Sequence, residues 1–223
     1  MNSNHINTYP QTCNLKAMKS KILLSLMALL GLFIFNPVQA QGNLTPEKIK
    51  AALDEAYTKF KDVKDGKNAD YIKELANVDP NIFGIALVTT DGTVYTKGDV
   101  SSMVSIQSVS KAFVAAQVIE QLGHQAMQDK IGVDATGLKF NSIVAVEEHR
   151  GKEINPLVNP GAIAATSLVA GKDSAAIWKS ILDFQGKFAG RTLALNMPVY
   201  ISEAGDNLRN QAIAHLLKAY GRM

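Results

Sequence analysis

Cysteine is nearly absent from this chain: Cys13 is the only one in 223 residues. Residues 14–223 can therefore form no internal disulfide and no thiolate metal site. Histidine is scarce as well, and no pair among His5, His124, His149 and His215 has the spacing of metal ligands. Neither a phosphate-cradling glycine loop nor a dinucleotide glycine fingerprint occurs. An excess of one charge sign is also missing. The formal net charge is +3, from 23 basic and 20 acidic side chains. Lys16, Lys19 and Lys21 account for that excess, so residues 41–223 are neutral. A neutral domain without a basic stripe argues against nucleic acid as a partner and against polybasic membrane docking.

Long apolar runs are limited to one. Ile22 to Phe35 is an apolar run of 14 residues, preceded by Lys19 and Lys21. It is shorter than the roughly 18 residues a spanning helix needs. Asn36 and Pro37 break it, and Val38-Gln39-Ala40 offers small residues at a cleavage site. That is the layout of a secretory signal. Residues 1–40 are read as a signal peptide cleaved after Ala40, with Met18 as an alternative start. Residues 41–223 are then an exported, periplasmic domain with no membrane partner after cleavage.

Thr45-Pro46-Glu47 reads as a helix cap with proline in the first turn. Apolar residues from Ile49 to Val63 recur at helical spacing, and Gly66 lies beyond the stop. Ile82–Thr90 and Thr93–Thr96 are β-prone runs flanking Asp91-Gly92, a hairpin signal. Ser110–Leu122 reads as a helix stopped by Gly123, and Val133–Ser142 as a loop. Gly161–Val169, Asp173–Phe188 and Asn207–Tyr220 read as helices, with Leu195–Asp206 irregular between the last two. Helices following a hairpin imply an α/β or α+β class. Only two strands are evident, fewer than a sheet of ordinary size requires.

Ser108-Val109-Ser110-Lys111 is a Ser-x-x-Lys. On a helix, positions i and i+3 share a face, so hydroxyl and amine can meet. A lysine whose proton is disfavoured by burial can act as base towards a serine, which is otherwise a poor nucleophile. Asn159, ahead of the Gly161–Val169 helix, reads either as its N-cap or as a donor and acceptor for a substrate amide or carboxylate. Glu203 could hold an ammonium group and Asn210 a carboxylate, or both could serve as helix caps. Tyr71, in Asn68-Ala69-Asp70-Tyr71-Ile72, reads locally as a half-buried tyrosine in a helix or turn. Glu147-Glu148-His149-Arg150 reads as a solvated face.

Six of these stretches, in order, resemble the serine-dependent glutaminases, which share the β-lactamase/transpeptidase-like fold. They are Asn68–Ile72, the Phe83–Asp99 hairpin, Gln107–Lys111, Asp134–Asn141, Asn155–Ser167, and Ser202-Glu203 through Asn210. The resemblance implies hydrolysis of L-glutamine to L-glutamate and ammonia through a glutamyl-serine intermediate, without metal or organic cofactor. It implies Ser108 as nucleophile, Lys111 as its base and Tyr71 beside them. Asn159, Glu203 and Asn210, with Ser108, would bind the substrate. It also implies a homo-oligomer when the family fold is complete.

Against that family the chain reads as the N-terminal portion only of a glutaminase domain. The expected helical region is accompanied by an incomplete antiparallel sheet, because a C-terminal part with further strands and a second oxyanion donor is absent. Alternative readings are an inactive remnant, a glutamine-binding fragment, and an acyl-serine enzyme acting on penicillins.

Overall fold

The computed structural model describes residues 44–152 and 154–223. The expected signal peptide, Cys13, the alternative start at Met18 and the cleavage point at Ala40 lie outside the described residues. By compactness the chain divides into residues 1–52 and 53–223. The described part of the first unit is the beginning of helix α1, Pro46–Phe60. Thr45 caps it as the sequence suggests, its hydroxyl accepting from Lys48 N at 3.4 Å.

The second unit begins within α1 and continues through a short helix α2, Lys73–Ala76. Strands β1, Gly84–Val88, and β2, Val94–Gly98, pair antiparallel with Val88 opposite Val94 and Gly84 opposite Gly98. The turn is wider than two residues. Gly92 N donates to Thr89 O at 2.9 Å and Thr89 N to Thr93 O at 3.0 Å. Gly92 sits at φ +84°, the left-handed conformation that completes a bulged three-residue hairpin loop and that favours glycine. The sheet among the described residues has these two strands.

The remaining helices build one core. A 3-10 turn, Gln107–Val109, runs straight into α3, Ser110–Leu122. Then come α4 (His124–Lys130), α5 (Ile143–Glu148), α6 (Asn159–Leu168), α7 (Ser174–Ala189), α8 (Met197–Ala204) and α9 (Leu208–Ala219). α3 packs on α4, α6 and α7, and α6 packs on α9. Their apolar faces meet around Val118, Met127, Ile131, Val146, Ala164, Ile213 and Leu217, all buried. Val114 and Val118 are four apart on α3, the spacing that puts both on one buried stripe.

Three local expectations change. Leu195–Asp206 is not irregular: α8 occupies Met197–Ala204. Asn196 caps it, its side-chain oxygen accepting from Val199 N at 3.2 Å, and Pro198 sits in the first turn. An Asn-x-Pro run there starts a helix instead of breaking one. Helices α4 and α5 are additional and short; α4 follows α3 after Gly123 alone, and α5 lies between the connecting segments 131–142 and 149–158. Finally, Asn159 is not the cap of α6. Val158 holds that position, and Asn159 is the first helical residue with its side chain directed to other partners.

Candidate functional site

A cleft of about 940 Å³ opens where α3, α6, α7, α8 and α9 converge. Ser108, Lys111, Asn159, Glu203 and Asn210 all line it. Five of the six residues singled out from sequence, drawn from four helices and the 3-10 turn, are thus gathered at one cavity.

Ser108 lies in the 3-10 turn and Lys111 in the first turn of α3, so the i to i+3 spacing brings both to the cleft. Among the described residues the Ser108 hydroxyl has no hydrogen-bond partner. The Lys111 ammonium donates to Asn159 Oδ1 at 2.6 Å. Asn159 Nδ2 in turn donates to Asn210 Oδ1 at 2.9 Å. A polar chain therefore runs from α3 across α6 to α9. Burial in the cleft pushes the Lys111 amine below the ordinary lysine value; desolvation disfavours its charged form. The ring of Phe140 stands 6.0 Å from the same nitrogen.

The placement of Asn159 is enforced by the backbone. Asn159 N donates to Phe140 O at 2.7 Å. Two residues on, a Cβ on Gly161 would fall 1.7 Å from Asn155 O, so only glycine lets the start of α6 lie against that carbonyl. Asn155 Oδ1 accepts from Leu157 N at 3.0 Å and Val158 N at 3.2 Å, and its Nδ2 donates to Asp134 O at 3.0 Å. The Asn-Pro-rich loop is a folded support for the first residue of α6.

Glu203 is exposed on α8 and is the one carboxylate among the lining residues; Lys111 and Arg191 are the cations. The other wall is apolar and aromatic, with Phe113, Trp178, Phe188 and Leu193 among its residues. Phe113 and Phe188 are in ring contact at 5.0 Å.

Tyr71 is not brought to this cavity. It is 77% exposed in a turn and is not among the lining residues, so the half-buried reading is corrected too. The neighbouring Ile72 is buried instead. Asn68 anchors this segment through Nδ2 to Val78 O at 2.5 Å.

One residue that sequence reasoning passed over is Gln107. It lines the cleft with φ +46°, a left-handed conformation rare outside glycine. Ser110 Oγ donates to its carbonyl at 2.7 Å, and its own amide donates to Ser105 Oγ at 2.9 Å. The signal available in the sequence was only its position next to Ser108. Among the described residues no cluster of three or more His, Cys, Asp or Glu side chains is placed to hold a metal ion.

Comparison with known proteins places the chain in a family. The family model described as Glutaminase matches residues 66–223. The glutaminase of Colwellia psychrerythraea strain 34H is 52% identical over 174 residues, which is 78% of this chain and 56% of that protein. Glutaminase 1 of Escherichia coli O157:H7 is 46% identical over 178 residues, 80% of this chain and 57% of that one. The solved structure of the probable glutaminase YbaS superposes with a TM-score of 0.78 at 46% identity, covering 81% of this chain and 58% of that one. The chain spans a little over half the length of each of these relatives.

Proposed function

This chain belongs to the glutaminase family, with its β-lactamase-like fold, and from that footing we propose that the Ser108 cleft hydrolyses L-glutamine to L-glutamate and ammonia. The observation that carries the reading is the arrangement of Ser108 with a partly buried Lys111, whose proton affinity is lowered by desolvation, and with Asn159 and Asn210 in one cavity.

The neutral Lys111 amine takes the Ser108 proton as the hydroxyl oxygen attacks the side-chain amide carbon. The carbon–nitrogen bond then breaks, and the proton goes with the departing ammonia. A glutamyl ester on Ser108 remains. Water adds to it, giving up a proton to Lys111, and glutamate leaves as Ser108 regains its hydrogen. The backbone N–H of Ser108 lies in the first turn of the 3-10 segment, where helical N–H groups lack a partner within the helix, and serves as an oxyanion donor. Glu203 matches the substrate's α-ammonium in charge, and the amides of Asn159 and Asn210 match its α-carboxylate. Tyr71 enters this reading from the family resemblance, not from its position on an exposed turn. Export through cleavage after Ala40 rests on the sequence of residues 1–40, and assembly as a homo-oligomer rests on the family.

The test is ammonia release from L-glutamine by the full chain, with Ser108→Ala beside it. A glutamine analogue carrying a diazoketone in place of the amide is used in parallel, with the site of alkylation located by mass spectrometry. Glutamine-dependent release lost in Ser108→Ala, and a label on Ser108, are the expected results. A label elsewhere, or release unaffected by the substitution, overturns the assignment.

A further inference from the structure

The sulfur chemistry of this chain falls to methionine. Cys13 is the only thiol, so beyond it an oxidant meets thioethers alone. Oxidation adds one oxygen to a methionine sulfur, and access decides which thioether takes it. The described methionines differ widely in this respect. Met127 is 2% exposed in the core, Met197 and Met223 are each 49% exposed, and Met103 is 75% exposed.

Met103 is also held in place and has a charged neighbour. Asp99 Oδ1 accepts from Ser101 N at 3.1 Å and from Ser102 N at 3.0 Å, which fixes the backbone immediately before it. Its sulfur faces a guanidinium: Arg191 Nη2 lies 3.6 Å from Met103 Sδ. Arg191 is positioned by its own backbone. Its N–H donates to Gly186 O at 3.2 Å, just past the left-handed Gly190 that ends α7. Among the described residues no carboxylate pairs with Arg191. A thioether is a weak acceptor, so the guanidinium keeps most of its donor capacity for a stronger partner. Both side chains line the cleft, and Met103 begins the segment that runs through Gln107 into Ser108.

We propose that Met103 is a reversible oxidation site and that Arg191 holds its sulfoxide. The oxidant is a hydroperoxide. The sulfur lone pair attacks one peroxide oxygen, and the O–O bond breaks. With hydrogen peroxide the other oxygen leaves with both hydrogens as water, so sulfur loses two electrons and the peroxide gains two. The new oxygen is a strong acceptor, and a guanidinium N–H donates to it better than to sulfur. The pair then fastens residues 103–107 to the segment after α7 at the cleft, and reduction of the sulfoxide releases them. The site stands on exposure and on the contact of Met103 with Arg191, and it holds whether or not the cleft hydrolyses glutamine.

The test exposes the full chain to hydrogen peroxide and maps the added oxygen by peptide mass spectrometry. Limited tryptic cleavage then reads the state of Arg191, because trypsin must take the arginine side chain and an engaged guanidinium is cut slowly. Met103 is expected to gain oxygen ahead of Met197 and Met223, and at least tenfold faster than Met127. Cleavage after Arg191 slows at least threefold in the oxidised parent, while cleavage after the exposed Arg209 is unchanged. Methionine sulfoxide reductases A and B together restore the original rate. Met103→Leu keeps the apolar side chain without the sulfur and shows no slowing after the same treatment. Met103→Gln, whose amide oxygen stands in for the sulfoxide oxygen, is cut slowly without peroxide. First oxidation at another methionine overturns the proposal. So does cleavage after Arg191 that is as fast in the oxidised parent as in the untreated one, or equal slowing in Met103→Leu.

Discussion

Lys111 combines a lowered affinity for its proton with a fixed neighbour, and both properties can be measured. Below its folded pKa, both the folded and the unfolded chain carry the proton, so the fold bears the whole desolvation cost. Between that pKa and the ordinary lysine value of 10.5 the unfolded chain binds more protons, and stability rises with pH; above both values the penalty is gone. Lys111→Met therefore raises the melting temperature at pH 7 relative to the parent, and the difference vanishes towards pH 11. The same variant loses Ser108 alkylation. Asn159→Asp acts in the opposite sense. It places a carboxylate where the amide oxygen now lies, 2.6 Å from the amine. An anion at that distance favours the ammonium, raises the lysine's pKa and removes free amine at neutral pH. Labelling of Ser108 at pH 7 falls at least tenfold, and the rising limb of its pH profile moves to higher pH. A profile that stays in place shows that Lys111 is not the titrating base. Ser108 and Lys111 could be singled out by their helical spacing, and Asn159, Glu203 and Asn210 by the family resemblance; the five line one cleft. The left-handed Gln107 could not be, since nothing in a glutamine's identity reports a positive φ. The exposure of Tyr71 was also hidden, because Ile72 takes the buried side of that turn.

At the level of elements, the supports of the site are a cap and a close approach. α8 carries Glu203 and begins at Asn196, whose side chain caps it. Asn196→Ala costs about 1 kcal/mol of stability, read by urea unfolding, and on the proposed reading of the cleft it weakens glutamine binding because the segment bearing Glu203 frays. Asp173, which caps α7 through Ala176 N at 2.8 Å, is the control: Asp173→Ala loses similar stability without that effect on binding. Gly161→Ala is the harsher change. Its methyl would lie 1.7 Å from a backbone carbonyl that cannot swing aside as a side chain can. The start of α6 must move, at a cost of about 2 kcal/mol or more, and Asn159 moves with it. A melt within a degree or two of the parent would show that the loop yields freely. Helices with a full apolar stripe, such as α3 and α7, were readable from spacing. α8 was not, because its Asn and Pro resemble loop punctuation until the cap bond is seen. α4 and α5 are too short for any period to emerge.

Over the whole molecule, order is distributed unevenly between the helical core and the hairpin. Val118, Ile131, Ile213 and Leu217 are completely buried in one cluster that ties α3 to α9. The hairpin has no such anchor of its own: its side chains are exposed or half-buried, and its hold on the preceding helix is Lys97 on Asp54 and the ring of Phe83 stacked on Tyr57 at 5.5 Å. A two-stranded ribbon is marginal in water. The shortage of strands was visible in the sequence, and the sheet among the described residues has two strands. Opening should therefore occur at two free energies. Amides of Val118 and Leu217 exchange only through global unfolding, and their exchange free energy equals that from urea melts. Amides of Leu87 and Tyr95, although bonded within the ladder, exchange through a local opening of lower free energy, because lifting β1 from β2 exposes little buried apolar surface. Native-state hydrogen exchange at low urea distinguishes the two directly. Hairpin amides should show exchange that is nearly independent of denaturant, and core amides the full dependence. If Leu87 and Tyr95 instead follow the core, the hairpin is one cooperative unit with the helices, and the few side chains that join them carry more of the fold than their exposure indicates.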